Sequence, residues 1–322
     1  MKVKTIGVLT SGGDSPGMNA AVRAVVRTAI EKGIAVKGVM RGYTGLIEND
    51  IVDLNLRSVS DIIHRGGTIL YTARCPEFKT EEGLQTAIAN CKKNGIEGIV
   101  VIGGDGSYRG ARDLSERGIP CVGIPGTIDN DISSTEYTIG FDTAVNTAME
   151  MVDKLRDTAQ SHDRCTVVEV MGRRAGFMAL HTGIAVGATA ILVPEVNYDF
   201  QRDIVDRIKK TQAMGKKHFI VVVAEGVGNV DGIAEQISRA CNIEARATIL
   251  GHVQRGGSPT VRDRVTASAM GHKAVDLLAE GIGNRVMCLI KNEIVNKDIF
   301  EALNEKKDYE FNLHAIADTI SI

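Results

Sequence analysis

Three short segments of this chain gather residue types that handle phosphate and metal ions. Gly103-Gly-Asp-Gly-Ser107 sets a carboxylate, Asp105, among glycines. Glycines let backbone approach phosphate closely, and phosphate oxygens repel a carboxylate unless a cation lies between them. Asp105 therefore reads as a Mg²⁺ ligand, the alternative being a cap for a helix that begins near Ser107. Pro125-Gly-Thr-Ile-Asp-Asn-Asp131 brings two more carboxylates, Asp129 and Asp131, together with the hydroxyl of Thr127. In extended chain residues two apart share a face, so one Asp could take a proton from a hydroxyl while the other assists the metal. An Asx-rich turn is the plainer reading of the same run. Gly12-Gly-Asp-Ser-Pro-Gly-Met-Asn19 has the glycine spacing of a P-loop, but Met18 and Asn19 stand where Lys and Ser/Thr should follow. It is not a Walker A site, although such a turn still offers N–H groups and a helix dipole to an anion.

Cations fall beside the same junctions: Arg74, Arg164, Arg173, Arg174, Arg246, His252 and Arg255. Arg is the preferred bidentate partner of phosphate, while any single surface Arg is usually only solvated. Several of them near two or three Asp point to a site for two anionic partners. Glu225 ends an apolar run and suits sugar hydroxyls. From the residues alone the chemistry is Mg²⁺-dependent phosphoryl transfer to a phosphorylated, hydroxyl-bearing acceptor.

Elements to hold these groups are visible in the pattern. Short β-branched runs at Ile6–Leu9, Ile99–Ile102, Cys121–Ile124, Thr166–Val170, Phe219–Ala224 and Ala247–Leu250 each lead into Gly-rich polar punctuation and then a helical stretch. Continuous apolar runs alternating with helices are buried parallel strands, with ligands at the carboxyl ends of the strands. Val22, Val25, Val26, Ala29 and Ile30 form a helical stripe that Gly33 is placed to end. The class is α/β.

Composition narrows the partners. The 322 residues are 43% hydrophobic and 24% charged with a net charge of −2, which gives no reason to expect nucleic-acid or membrane affinity. Aromatics at 4% and no Trp argue against a stacking platform. Glycine is in surplus, 35 of 322 residues against a usual share of about 7%. Six scattered cysteines fit free thiols, and no segment reads as a signal peptide or membrane helix, so a cytoplasmic location is expected.

Taken together and in order, these motifs, with Met171-Gly-Arg173 and Gly251-His-Val-Gln-Arg-Gly-Gly-Ser-Pro259, resemble the bacterial ATP-dependent 6-phosphofructokinases over essentially the whole chain. The resemblance implies two interleaved Rossmann-like α/β lobes with mainly parallel central sheets, residues 1–140 plus 254–304 for ATP and 141–253 plus 305–322 for the sugar phosphate. It implies a homotetramer and transfer of the ATP γ-phosphoryl to O1 of fructose 6-phosphate in glycolysis. Asp129 would be the base, Asp105 and Asp131 the Mg²⁺ ligands, and Gly13, Arg74, Cys75, Gly104, Asp105, Gly106 and Ser107 the ATP contacts. Arg74, Thr127 and Arg173 would serve the transferred group. Ile128, Met171, Gly172, Glu225, His252, Val253, Gln254 and Arg255 would contact the acceptor, with Arg164 and Arg246 reaching it from a neighbouring subunit. Pyrophosphate-dependent relatives carry Asp and Lys where this chain has Gly106 and Gly126, so the implied donor is ATP.

An effector site for ADP or phosphoenolpyruvate is implied less completely. Arg23, Arg27, Arg156 and Lys216 match, and Arg57 lies beside Leu56, which replaces a basic residue. Thr189 stands for a metal-binding Glu and Met214 for a Lys or Arg, so effector control is expected to be altered or weak. A non-catalytic sensor of nucleotide or sugar phosphate is the main rival. A dinucleotide oxidoreductase is weaker, lacking the G-x-G-x-x-G fingerprint.

Overall fold

The computed structural model describes residues 3–321. The chain divides into two compact units, one comprising Met1–Ile128, Ile132–Thr143 and Arg255–Lys307, the other Asp129–Asp131, Ala144–Gln254 and Asp308–Ile322. The larger lobe read from sequence holds 129–131; in the structure these three residues group with the second unit.

The first unit opens with β1 (Thr5–Ser11), α1 (Met18–Glu31), β2 (Ala35–Val39), α2 (Tyr43–Glu48) and β3 (Ile51–Leu54). It continues through α3 (Glu81–Lys93), β4 (Gly98–Gly103), α4 (Asp105–Ser115) and β5 (Cys121–Pro125). The second unit holds most of α5 (Phe141–Ser161), then β6 (Cys165–Val170), α6 (Phe177–Ala185), β7 (Ala190–Leu192), α7 (Asp206–Ala213), β8 (Phe219–Ala224), α8 (Val230–Cys241) and β9 (Ala245–Ile249). The chain then gives α9 (Val261–Ala279), β10 (Arg285–Ile290), β11 (Glu293–Asp298) and α10 (Ile299–Asn304) to the first unit, and α11 (Phe311–Ile320) to the second.

The first sheet runs β11-β10-β5-β4-β1-β2-β3. Its five inner strands are parallel, and the edge strands β3 and β11 pair antiparallel. β4 and β5 are buried along their whole length, as strands covered on both faces must be. After β1 the order runs one way to β2 and then returns to set β4 on the other side, so β1 and β4 flank a topological switch point. Ligands of open α/β sheets bind outside the carboxyl ends of the strands at such a point. The second sheet, β7-β8-β6-β9, is parallel throughout. Each unit has its own apolar core, around Leu9, Ile99, Val101 and Leu114 in the first and Val167, Val221, Val223 and Ile237 in the second. All six cysteines are free thiols, and no helix among the described residues is long and apolar enough to cross a membrane.

α1 buries Val22, Val25, Val26 and Ala29 of the stripe with Ile30 half-buried, and Gly33 follows it at φ +72°, its N–H on the Ile30 carbonyl. That left-handed geometry is the glycine stop the sequence indicates.

Candidate active site

In the first unit, the loops leaving β1 and β4 lie side by side, because Ser11 is in register with Gly103. Gly13 is exposed, and a Cβ there would sit 2.4 Å from Arg255 Nη1. A side chain there would have to displace that guanidinium, which lies across the loop and donates to the Asp14 carbonyl at 3.0 Å. Arg255, read as a sugar-phosphate contact, thus also shapes the β1 loop.

Asp105 is the first residue of α4, with Gly104 in the cap position and no side-chain cap. The capping alternative therefore falls. Its carboxylate is half exposed and meets Arg109 Nε at 3.0 Å. Gly106 is exposed, and a side chain there would meet nothing within 4 Å. Ser107 is buried, and its hydroxyl donates to the Ser11 carbonyl at 3.1 Å, tying the two loops together.

Asn19, set aside in the sequence for not being Ser or Thr, has a structural task. Its amide donates to the carbonyls of Arg65 and Gly66, and its oxygen accepts from the Ile69 N–H. Thr10 and Thr72 add hydrogen bonds to the Tyr71 and Gly12 carbonyls. The 65–72 segment is thereby fastened at the carboxyl end of β1, and it leads directly to exposed Arg74 and half-buried Cys75.

β5 ends at Pro125, and the Gly126 N–H donates to the Gly103 carbonyl. Thr127 is 8% exposed, with its Cβ 3.8 Å from the Cβ position of Gly104. In the second unit Asp129 is 6% exposed and Asp131 half-buried. The chain between them is not extended: Asn130 sits at φ +51°. The shared-face argument for Asp129 and Asp131 therefore does not hold, because a left-handed residue between them breaks the strand alternation.

Of the residues read as acceptor contacts, Met171, Gly172 and Arg173 follow β6, Glu225 follows β8 and His252 to Arg255 follow β9. Gly172 has φ +139°, and a Cβ there would meet the Ala175 carbonyl at 2.5 Å. Arg173 next to it is also left-handed, at φ +60°. Strained backbone of this kind persists where surroundings over-determine it, typically at functional sites. Here Glu225, just past β8, accepts the Arg173 N–H at 3.1 Å, and Glu195 accepts the Gly176 N–H at 2.8 Å. Gln254 is fully buried, accepting from the Met171 N–H and donating to the Gly251 carbonyl, so its amide acts as a brace. His252 and Val253 are exposed on the short 3₁₀ turn Gly251–Arg255.

Arg164 and Arg246 lie elsewhere. Both guanidiniums bind Glu244 at 2.7 Å, and these contacts hold its carboxyl below the usual range. Arg164 immediately precedes β6, and Arg246 pairs with Thr166. They stand at the amino end of a six-residue strand whose other end bears Arg173, on the order of 17 Å away. Glu244 was not singled out in the sequence, although it lies only two residues before Arg246.

The effector candidates are divided between the two units. On α1, burial and then Arg27 lower the pKa of Arg23. Arg57 is exposed, as is Leu56. In the second unit Arg156 donates to the Val186 carbonyl, and Lys216 reaches Thr189 Oγ1 at 3.5 Å. Burial, followed by Arg156, lowers the pKa of Lys216.

A family model described as phosphofructokinase matches residues 5–278. The ATP-dependent 6-phosphofructokinase of Bacillus licheniformis is 57% identical over 320 residues, 99% of this chain and 100% of the relative. The chain belongs to the phosphofructokinase family. The Bacillus subtilis member, also an ATP-dependent 6-phosphofructokinase, is 58% identical over the same span. A solved Saccharomyces cerevisiae phosphofructokinase superposes with a TM-score of 0.88 at 34% identity, covering 98% of this chain. The chain spans 46% of that longer yeast chain.

Proposed function

We propose that the chain transfers the γ-phosphoryl group of ATP to the 1-hydroxyl of fructose 6-phosphate, giving fructose 1,6-bisphosphate and ADP, as a glycolytic kinase. The observation that carries this reading is the family's motif set at the β1/β4 switch point and at the end of β5, in a chain matching ATP-dependent relatives end to end. Phosphoryl transfer needs positioning and charge stabilisation more than covalent chemistry from the protein.

Each half of the chemistry has a structural basis. The loops after β1 and β4 present backbone N–H groups and the α4 N-terminus to the ATP phosphates. Asp129 takes the proton from the 1-hydroxyl as O1 bonds to the γ-phosphorus and the bond to the ADP oxygen breaks. Arg173 and Arg74 offset the charge on the transferred group, and Thr127 orients it. Mg²⁺ is held in such sites by one or two carboxylates together with substrate phosphates, and it would neutralise phosphate charge. Half-exposed Asp105, at the carboxyl end of β4, fits that role with Asp131 as the second candidate. On the acceptor side His252, Arg255 and Glu225 contact the sugar phosphate. Arg164 and Arg246 are too far along β6 to join Arg173 in the same chain, which supports their serving the site of a neighbouring subunit in a tetramer. A cytoplasmic location follows from the same reading.

The donor is tested by steady-state assay with ATP or pyrophosphate. Turnover with ATP should exceed that with pyrophosphate by at least about 100-fold, the scale set by mispositioned reacting groups. Faster turnover with pyrophosphate would sink the ATP reading.

Effector control follows from residue 189. Thr189 is fully buried, its N–H on the Ile220 carbonyl and its hydroxyl oxygen accepting from Lys216 Nζ, so no carboxylate is available there for a cation–diphosphate complex. Titrating ADP should therefore shift half-saturation by fructose 6-phosphate less than about threefold, under ~1 kcal/mol of coupling. Strong ADP activation would refute this.

A further inference from the structure

Asp263 is a completely buried carboxylate that none of the steps above uses. The sequence Thr260-Val-Arg-Asp263 reads as the start of a helix, and Thr260 does cap α9 by accepting the Asp263 N–H. The Asp263 side chain, however, mainly faces the loop that follows β5; Oδ2 also accepts from Thr260 Oγ1 at its own helix end, at 3.5 Å the longest of its contacts. Oδ1 accepts from Tyr137 Oη at 2.5 Å and from the Gly140 N–H at 2.6 Å. Oδ2 accepts from the Thr143 N–H at 2.9 Å and from Thr143 Oγ1 at 2.5 Å. The neighbouring Arg262 guanidinium lies over the Tyr137 ring, 4.2 Å from its centroid. Burial raises the Asp263 pKa while the four donors oppose the rise.

That loop is fastened in turn to the segment bearing the reactive residues. Ile139 bridges Gly126 and donates its N–H to the Pro125 carbonyl at 2.9 Å. Thr138 Oγ1 donates to the Thr127 carbonyl at 2.6 Å. Residues 137–143 therefore form a strap along the exit of β5, clamped at three points by a single carboxylate. Gly126 and Thr127 lie between this strap and the end of β4, and Asp129 follows two residues later.

We propose that Asp263 is a positioning residue for phosphoryl transfer, clamping the 137–143 strap so that it fixes the backbone of Thr127 and the course of the chain into Asp129. The inference rests on the phosphotransfer reading above. It differs from a stability role because the clamped groups are the backbone anchors of the β5 exit. The carboxylate is also specifically required. Each of its oxygens faces one backbone N–H, so an amide in either orientation must set its NH₂ against Gly140 or Thr143. A hydroxyl can rotate to adapt, but a backbone N–H cannot.

The test uses the full chain carrying Asp263→Asn, with fructose 6-phosphate and ATP, below its melting temperature. kcat should fall about 100-fold, the cost of roughly an ångström of misplacement. KM for ATP should stay within about threefold, the signature of an interaction that matters in the transition state rather than in binding. Amide exchange should accelerate at 126–131 and 137–143 and stay unchanged in β6. Tyr137→Phe removes one donor yet keeps the ring under Arg262, and should lower kcat by a few-fold with the same exchange signature. This milder variant carries the test if Asp263→Asn does not fold. Normal kcat with a lowered melting temperature in Asp263→Asn, or unchanged exchange at 126–131 in Tyr137→Phe, would overturn the proposal. Should the wild-type chain show no turnover of fructose 6-phosphate with ATP, the phosphotransfer reading fails. The exchange comparison then still decides whether Asp263 holds the β5 exit.

Discussion

Asp129→Asn is expected to lower kcat by roughly 100- to 10,000-fold, the range for loss of a general base. ATP binding should stay within about threefold, because the substitution leaves untouched the loops after β1 and β4 that are proposed to hold the phosphates. Asn keeps the shape of the side chain and its acceptor oxygen but removes the proton-accepting carboxylate. Asp129 is only 6% exposed, so bulk water has little room to replace it as base. Residues 125–127 just before it are held by the Gly103 carbonyl on one side and by Thr138 and Ile139 on the other, so the amide should occupy the same position. The measurement is steady-state kcat with fructose 6-phosphate, paired with calorimetric titration of ATP into the variant. Lost turnover with retained binding also separates a kinase from a non-catalytic nucleotide sensor, whose binding would be indifferent to this base. Unchanged turnover would remove Asp129 from the role, and lost ATP binding would mean that the substitution had disturbed more than proton transfer.

Strands β1, β4, β5, β6 and β8 were legible, unlike β2 and β10, because two physical constraints coincide in them. A strand buried on both faces must be continuously apolar, and the chain must turn sharply where it leaves. Phe219–Ala224 and Ile99–Ile102 satisfy both and are strands β8 and β4 in the structure. β11 was invisible because its sequence, EIVNKD, is polar on an edge, and β7 because three residues are too few for a pattern. Candidate residues were legible where chemistry is carried by side-chain type, as with Asp105 and Arg173. Positioning was not. Nothing in the letters Gln254, Asn19 or Asp263 says that each satisfies backbone N–H or carbonyl groups of a distant loop, because such a bond depends on which loops the fold brings together. The same limit explains the error over Asp129 and Asp131. Their spacing is correct for a shared face only if Asn130 is extended, and it is left-handed.

Gly106→Asp should reduce kcat/KM for ATP by about 100- to 1,000-fold with little loss of stability. The stability half of the expectation comes from local geometry. A Cβ at Gly106 meets nothing within 4 Å, and its backbone is not in the left-handed region, so a side chain fits without strain. Position 106 also lies in the first turn of α4, where a negative charge is favourable to the helix dipole by about 0.3–1 kcal/mol. The melting temperature should therefore hold or rise slightly. The catalytic half comes from electrostatics. The same N-terminus is proposed to receive the ATP phosphates, and it already carries Asp105. A second carboxylate about 4 Å from a phosphate oxygen costs about 4 kcal/mol at an effective dielectric near 20, an upper figure that Mg²⁺ and solvent reduce. Gly126→Lys makes a poorer probe. Its Cβ would lie 3.1 Å from Ile102, 3.3 Å from Met18 and 3.5 Å from the Gly103 nitrogen, so packing and charge would change together. With Gly106→Asp the two effects have opposite signs and can be read separately by melting and by ATP kinetics. ATP kinetics within about threefold of the parent, in a variant that melts normally, would place the phosphates away from the α4 N-terminus, since any closer carboxylate must register.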